Sequence, residues 1–174
     1  MTTTHQVQPT IGRHPQTRSA LAAAALLALA SLGAQAQAQA QDKISDGVVK
    51  IGILNDMTGV YADIVGPGAV IAAKMAIADF GGKVLGKPIE LIVADHQNKA
   101  DISAAKAREW FDTQQVDMLA DVAATAPALA ALNVARQKNK IALFPSAASS
   151  RLSNEDCSTV SVHWTYDTYA LAAG

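Results

Sequence analysis

Cysteine is almost missing from this chain: Cys157 is the only one in 174 residues. Disulfides come in pairs, so Cys157 reads either as an inert buried thiol or as half of a bridge whose partner lies outside this chain. A catalytic thiol needs an oriented base. His163 stands six residues on, with nothing in the sequence to position the two. Histidine is also sparse, with four in all: His5 and His14 fall in the N-terminal segment, and His96 and His163 are isolated. A zinc site takes three or four ligands, so a metal centre and its cofactor chemistry are not expected. An excess of one charge is absent as well. Fourteen Lys and Arg balance fifteen Asp and Glu for a net charge of −1. Without clustered cations there is no phosphate-neutralising surface, which excludes nucleic acid as a partner and gives no sign of a membrane surface. No apolar run reaches the roughly 20 residues needed to span a bilayer, so stable membrane insertion is not expected.

Catalytic motifs are missing too. There is no HExxH, no nucleophile elbow and no carboxylate pair in a supporting context. Gly81-Gly82-Lys83-Val84-Leu85-Gly86-Lys87 spells G-x-x-x-x-G-K, but it lies between a helix and the next strand, the reverse of a phosphate-binding loop. Pro88 stands where a magnesium-holding Ser or Thr belongs. The segment reads as a helix-terminating turn. Gly66-Pro67-Gly68 begins like a dinucleotide fingerprint, but Ile71 replaces the third glycine and the turn is too long after the strand. The residues give no positive sign of an enzyme.

What is present begins with an N-terminal segment unlike the rest. Arg13 and Arg18 precede the apolar run ALAAAALLALA (residues 20–30), and no acidic residue occurs before Asp42. Small residues and glutamines follow. This is the order of a Sec-type signal peptide over residues 1–40, with cleavage after Ala36, Ala38 or Ala40. No cysteine follows the apolar run to accept a lipid, and no consecutive arginine pair marks a twin-arginine signal. The expected compartment is extracytoplasmic. About 135 residues remain, enough for one domain with a modest core.

That remainder alternates strand and helix. Residues 48–55 (VVKIGILN) form a β-branched run suited to a buried parallel strand. A polar turn over 56–66 leads to a helix at 68–80, with Val70, Ile71, Lys74, Met75 and Ala78 at helical spacing and Gly81-Gly82 as its stop. Strands are expected at 88–95, 116–122 and 141–144, and a fifth at 160–165. Helices are expected at 100–114, with an apolar stripe through Ile102, Ala105 and Trp110, and at 127–139, where Pro127 suits the first turn. Strict alternation with short connections implies an α/β domain. Its parallel sheet carries helices on both faces in a doubly wound, Rossmann-like or flavodoxin-like layout. A last helix begins at Tyr169 and is cut off at Gly174, so the reading is of a truncated domain over 47–174.

In such sheets a ligand collects beyond the carboxyl ends of the strands. Here those ends carry small and hydroxylated residues: Asn55, Asp56, Thr58, Gly59 and Tyr61 after the first strand, Ala123, Ala124, Thr125 and Ala126 after the third, and Ser146, Ala147, Ala148, Ser149 and Ser150 after the fourth. Backbone N–H groups and hydroxyls at a helix N-terminus can hold a carboxylate without a fixed positive charge. The plainer alternatives are that Thr125 is an N-cap and the serines are turn formers.

Five stretches together carry a resemblance: KIGILNDMTGVYA, FGGKVLGKPIELIVADHQ, AAKAREW, VDMLADVAATAPAL and KIALFPSAASSRL. In order and spacing, residues 49–171 resemble the N-terminal lobe of periplasmic binding proteins of the branched-chain amino-acid type, type I fold. The resemblance implies a second lobe joined by a hinge, closure over a small-molecule ligand, and delivery to an ABC transporter permease from the periplasm. It implies that Thr125, with Ala124 before it, holds the ligand carboxylate. Ala147 and Ala148 fall on the positions of a carbonyl and a Ser/Thr in the next loop, with Ser149 beside them. Two departures stand out: Ala148 lacks the usual hydroxyl, and Asp121-Val122 replaces a common Gly-Pro. The segment HWTYDTYALA is similar to a subgroup linked to aromatic or other organic acids, and places Tyr166 at the cleft. A sensor domain of the same fold and a periplasmic α/β enzyme are the alternatives to a transport receptor.

Overall fold

The computed structural model describes residues 47–174, which belong to one compact unit. The expected signal segment and its cleavage points lie outside the described residues. The elements follow in the order β1 (Val49–Asn55), α1 (Ala62–Val65), α2 (Pro67–Asp79), β2 (Lys83–Val84), β3 (Lys87–Asp95), α3 (Ala100–Thr113), β4 (Met118–Asp121), α4 (Thr125–Lys138), β5 (Ile141–Phe144), a 3₁₀ turn (Ser150–Leu152), β6 (Ser161–His163) and α5 (Thr168–Ala173). Six strands form one sheet in the order β2-β3-β1-β4-β5-β6. All neighbours are parallel except the β2–β3 pair. The strand–helix alternation read from the sequence is the architecture observed.

The chain leaves β1 toward β3 on one side, then crosses back past β1 to β4 and onward to β5. Right-handed crossovers in opposite directions place α2 on one face and α3 and α4 on the other. The register shows what each face holds. Leu54 pairs with Ala94 and Leu119 with Ala142, and these side chains join Trp110, Phe111, Leu132 and Phe144 in the core beneath α3 and α4. Each large side chain fully buried there contributes about 1.5–3 kcal/mol. Residues one step out of phase, Val93, Ile141 and Val162, lie on the α2 face and are 42%, 52% and 41% exposed, so that face is only partly covered. Trp110 of α3 packs against β1. A Cβ on Gly52 would come within 2.5 Å of its ring, which explains a glycine inside a strand.

Four local readings shift. The polar segment 56–66 holds the single-turn helix α1. The turn after α2 does more than stop it, because Gly81 and Gly82 at positive φ lead into a small hairpin. That hairpin turns on Leu85 and Gly86, at φ 49 and 79, the two positive values that a primed hairpin turn requires. Strand β4 ends at Asp121 because the Ala123 N–H donates to the Asn55 side chain (2.8 Å) rather than to a neighbouring strand. In α3 the buried stripe is Ser103, Ala107, Trp110 and Phe111, while Ala105 is exposed. The stripe is turned by α4, where the Pro127 carbonyl accepts a buried hydrogen bond of 2.9 Å from the Ser103 hydroxyl.

Candidate functional site

The carboxyl ends of β1, β4 and β5 are tied together by three buried or half-buried polar side chains. Asn55, at the end of β1, is fully buried. The Ala123 N–H can only donate, so the Asn55 atom facing it is Oδ1, and Nδ2 is left to donate to the Val65 carbonyl (2.6 Å) and to Asp121 Oδ2 (2.7 Å). The other carboxylate oxygen of Asp121 accepts from the Ser146 hydroxyl, just after β5. Burial pushes the Asp121 carboxyl above its ordinary value, against the hydrogen bonds from Ser146 and Asn55. Among the described residues, no Lys or Arg forms an ion pair with it.

A second layer holds the loop after β1. Asp56 is fully buried and accepts from the N–H groups of Gly59 (2.8 Å) and Tyr61 (3.0 Å), which presents the Tyr61 ring at the sheet's edge. Gly59 is required, because a Cβ would lie 2.4 Å from Asp56 Oδ1. Asp95, at the end of β3, receives the Met57 N–H (3.0 Å), the Gln97 N–H (2.7 Å) and the Thr58 hydroxyl (2.6 Å). Desolvation raises its pKa, but these hydrogen bonds outweigh it and hold the carboxyl below the ordinary value. His96 is completely buried beside this loop. Its Nδ1 accepts from the Asn98 N–H at 2.9 Å, so the proton of the neutral ring sits on Nε2. That nitrogen completes no hydrogen bond. Burial holds the imidazole below 6.5, against the opposing influence of Asp56, the Ala123 carbonyl and Asp95.

These supports surround an unusual backbone. Ala124 caps α4 with φ 63 and ψ 142, a left-handed extended conformation that a non-glycine residue adopts only when its neighbours over-determine it. The first intrahelical bond of α4 runs from the Ala128 N–H to the Ala124 carbonyl (3.0 Å). The N–H groups of Thr125 and Ala126 precede that bond and have no helical partner. Thr125 is therefore the first helical residue rather than the cap, and it is exposed.

A cleft of ≈ 190 Å³ opens at this helix start, lined by Tyr61, Ile64, Val65, Ala123, Ala124, Thr125, Ser146, Ala148 and Tyr166. It brings together five residues singled out from the sequence: Tyr61, Ala124, Thr125, Ala148 and Tyr166. Tyr166 is carried on a segment tied to the β5 loop. The Thr165 hydroxyl donates to the Pro145 carbonyl (2.5 Å), and the Thr168 N–H to the Ala148 carbonyl (2.7 Å). Ala147 and Ser149 are placed otherwise. The Ala147 side chain is in the core and its carbonyl meets His163 Nε2 at 2.7 Å, while Ser149 leads into the 3₁₀ turn. Because that carbonyl only accepts, His163 carries its proton on Nε2, and Nδ1 accepts from Ser153 (2.6 Å). Cys157 is exposed rather than buried.

Sequence reasoning passed over Ile64 and Val65, because their segment read as a turn. It treated Ser146 as one of several loop serines. The available signal was its place, directly after Pro145 at a strand end and paired by topology with the uncommon Asp121.

Among the described residues, no helix is long and apolar enough to cross a membrane. A family model described as "Periplasmic binding protein" matches residues 48–174. A periplasmic binding protein from Burkholderia mallei is 52% identical, with 74% of this chain and 34% of that one covered and a TM-score of 0.72. A branched-chain amino-acid ABC transporter periplasmic ligand-binding protein from Burkholderia xenovorans LB400 is 41% identical, with coverages of 68% and 32% and a TM-score of 0.66. An ABC transporter solute-binding protein from Rhodopseudomonas palustris BisB5, solved with 3,4-dihydroxybenzoic acid, is 29% identical, with coverages of 70% and 32% and a TM-score of 0.65. A search of curated proteins found no match. The chain spans about a third of the length of the structures it matches. With this sheet order, this cleft and these likenesses, the chain belongs to the periplasmic binding protein family, in the type I fold of the branched-chain amino-acid transporter group.

Proposed function

We propose that the protein of which this chain forms a lobe is the extracytoplasmic receptor of an ABC importer. It captures a small carboxylate-bearing ligand and hands it to a permease in the inner membrane. The observation that carries this reading is the start of α4. Free N–H groups and the Thr125 hydroxyl open into a cleft walled by Tyr61 and Tyr166, with no cationic side chain lining it. A helix N-terminus stabilises an anion through its aligned peptide dipoles and unpaired N–H groups, so a carboxylate can be held there without a counter-charge. The tyrosine rings offer flat apolar walls with a polar edge, suited to a branched aliphatic or an aromatic body. The Rhodopseudomonas relative, with its dihydroxybenzoic acid, and the Burkholderia relative, named for branched-chain amino acids, agree with both.

At ≈ 190 Å³ the cleft is smaller than the roughly 300–1,000 Å³ usual for a complete small-molecule site. A second lobe closing over it supplies the remainder. Residues 1–40 serve as the export signal, so the mature protein begins at Gln37, Gln39 or Gln41 and moves freely in the periplasm.

The test is a thermal-shift screen of the full-length protein against amino acids, aromatic carboxylates and dicarboxylates. A ligand that binds only the folded state raises the transition by mass action. A hit recovered chemically intact after incubation supports a receptor. Turnover of the hit, or no hit among carboxylates, rejects it.

A further inference from the structure

The single proton of the Ser146 hydroxyl is already committed. Ser146 lines the cleft, yet its O–H donates to Asp121 Oδ1, and Asp121 is not among the residues that line the cleft. Asp121 cannot supply a proton in return while it is ionised, because a carboxylate only accepts. Its second oxygen is fixed as an acceptor too, by the Asn55 Nδ2 donor, whose orientation is set by the Ala123 N–H and the Val65 carbonyl. The polarity of the chain Asn55 → Asp121 ← Ser146 is thereby determined from one end to the other. What Ser146 presents to the cleft is lone pairs.

We infer that Ser146, oriented by the buried Asp121, is a specificity-determining hydrogen-bond acceptor that selects ligands carrying a donor group apart from their carboxylate. The inference rests on the receptor reading above and deepens it. The two ends of the cleft have different demands: the start of α4 offers backbone N–H donors and the Thr125 hydroxyl, which can turn to donate, whereas the Ser146 hydroxyl can only accept. A ligand carboxylate turned toward Ser146 would set lone pairs against lone pairs, with the Asp121 charge one hydroxyl behind. The carboxylate therefore points to Thr125 and Ala126, and an ammonium or a phenolic hydroxyl points to Ser146. Asp121 is a positioning residue here, since it acts through Ser146. The groups around it are Asn55 from β1 and Ser146 after β5. Asp56 after β1 and His96 after β3 are the other buried titratable groups at this end of the sheet.

The test uses full-length protein and two matched probe pairs, read by calorimetry at neutral pH. L-leucine and 4-methylpentanoate differ by an ammonium, and 4-hydroxybenzoate and benzoate differ by a phenol. The wild type is expected to favour the donor-bearing member of at least one pair by about tenfold or more, and the pair that responds identifies the donor. Ser146→Ala is expected to bring that ratio within about threefold. Asp121→Asn is the sharper variant. Its amide oxygen still accepts from Asn55, its NH₂ donates to Ser146, and the Ser146 proton is released into the cleft. The preference should then disappear or invert while the circular dichroism spectrum is unchanged. A merely structural role for Asp121 would weaken both members of a pair alike, and that result overturns the inference. So does a wild-type protein that binds both members of each pair equally, which leaves the receptor reading intact. Binding of none of the four probes also overturns the inference, while the receptor reading stands or falls on the broader carboxylate screen.

Discussion

Asn55 Nδ2 and Asp121 Oδ2 lie 2.7 Å apart, both side chains buried, and this bond joins the ends of two adjacent parallel strands beneath the cleft. Parallel strands are brought together by long crossovers, so nothing local aligns their ends. The side-chain bond does so, and it lets the backbone leave β4 for the strained turn at Ala124.

Asn55→Ala removes this bond and leaves the Ala123 N–H and the Val65 carbonyl without their partners. Each buried unsatisfied group costs roughly 1–3 kcal/mol, so a loss of about 2–6 kcal/mol is expected from the two. Urea denaturation of the full-length protein should show it as a lower midpoint with an unchanged slope.

Gly52→Ala places a methyl 2.5–2.7 Å from the Trp110 ring. The ring must move within a packed core, at a cost of about 1–3 kcal/mol. Combining it with Trp110→Leu should give less than the sum of the two losses, because both changes act on one contact. Strict additivity of the melting free energies would refute the contact.

His96 makes stability depend on pH. Its folded-state pKa lies below the ordinary 6.5, so between those two values the unfolded chain binds more protons than the folded one. This contribution is complete above pH 6.5 and is lost progressively as pH falls below it. In His96→Asn the Oδ1 atom can accept from the Asn98 N–H without titrating. Its stability profile should stay flatter between pH 6.5 and 5 in chemical denaturation.

Asp121 acts with the opposite sign. Its carboxyl is raised above 3.8 in the folded state, so the folded chain holds the extra proton and stability falls as pH rises from 3.8 through the folded value. Asp121→Asn should remove that decline. Measuring the double variant with His96→Asn separates the two slopes.

Thr125→Ala should weaken a carboxylate ligand by about tenfold while leaving the melting temperature within a degree or two. Thr125 is exposed and is not the cap of α4, so the helix does not depend on its hydroxyl, and the proposed carboxylate contact is what the substitution removes. An unchanged dissociation constant would remove Thr125 from the site.

Periodicity and composition made the alternation of β1 through β6 readable, because a buried parallel strand must be continuously apolar and a covering helix must carry a stripe. They also pointed to the loops proposed to hold a ligand, since topology sends the carboxyl ends of the parallel strands to one edge. Tyr61, Ala124, Thr125 and Ala148 could be named on that ground, whereas Tyr166 came only from the family resemblance of its segment. The sequence could not say that Ser103 rather than Ala105 faces inward, because α4 decides which way α3 turns. Nor could it say that the Ala147 side chain faces the core while Ser146 lines the cleft, because a loop has no period to read. The role of Ser146 was beyond its reach as well. Whether a hydroxyl donates or accepts depends on a carboxylate 25 residues away, and on an amide at the end of a third strand that sets which way that carboxylate is held. Local pattern determined the elements and the edge where they meet. The direction of the hydrogen bonds at that edge was decided by tertiary structure, because each buried donor has few protons and its partners arrive from distant strands.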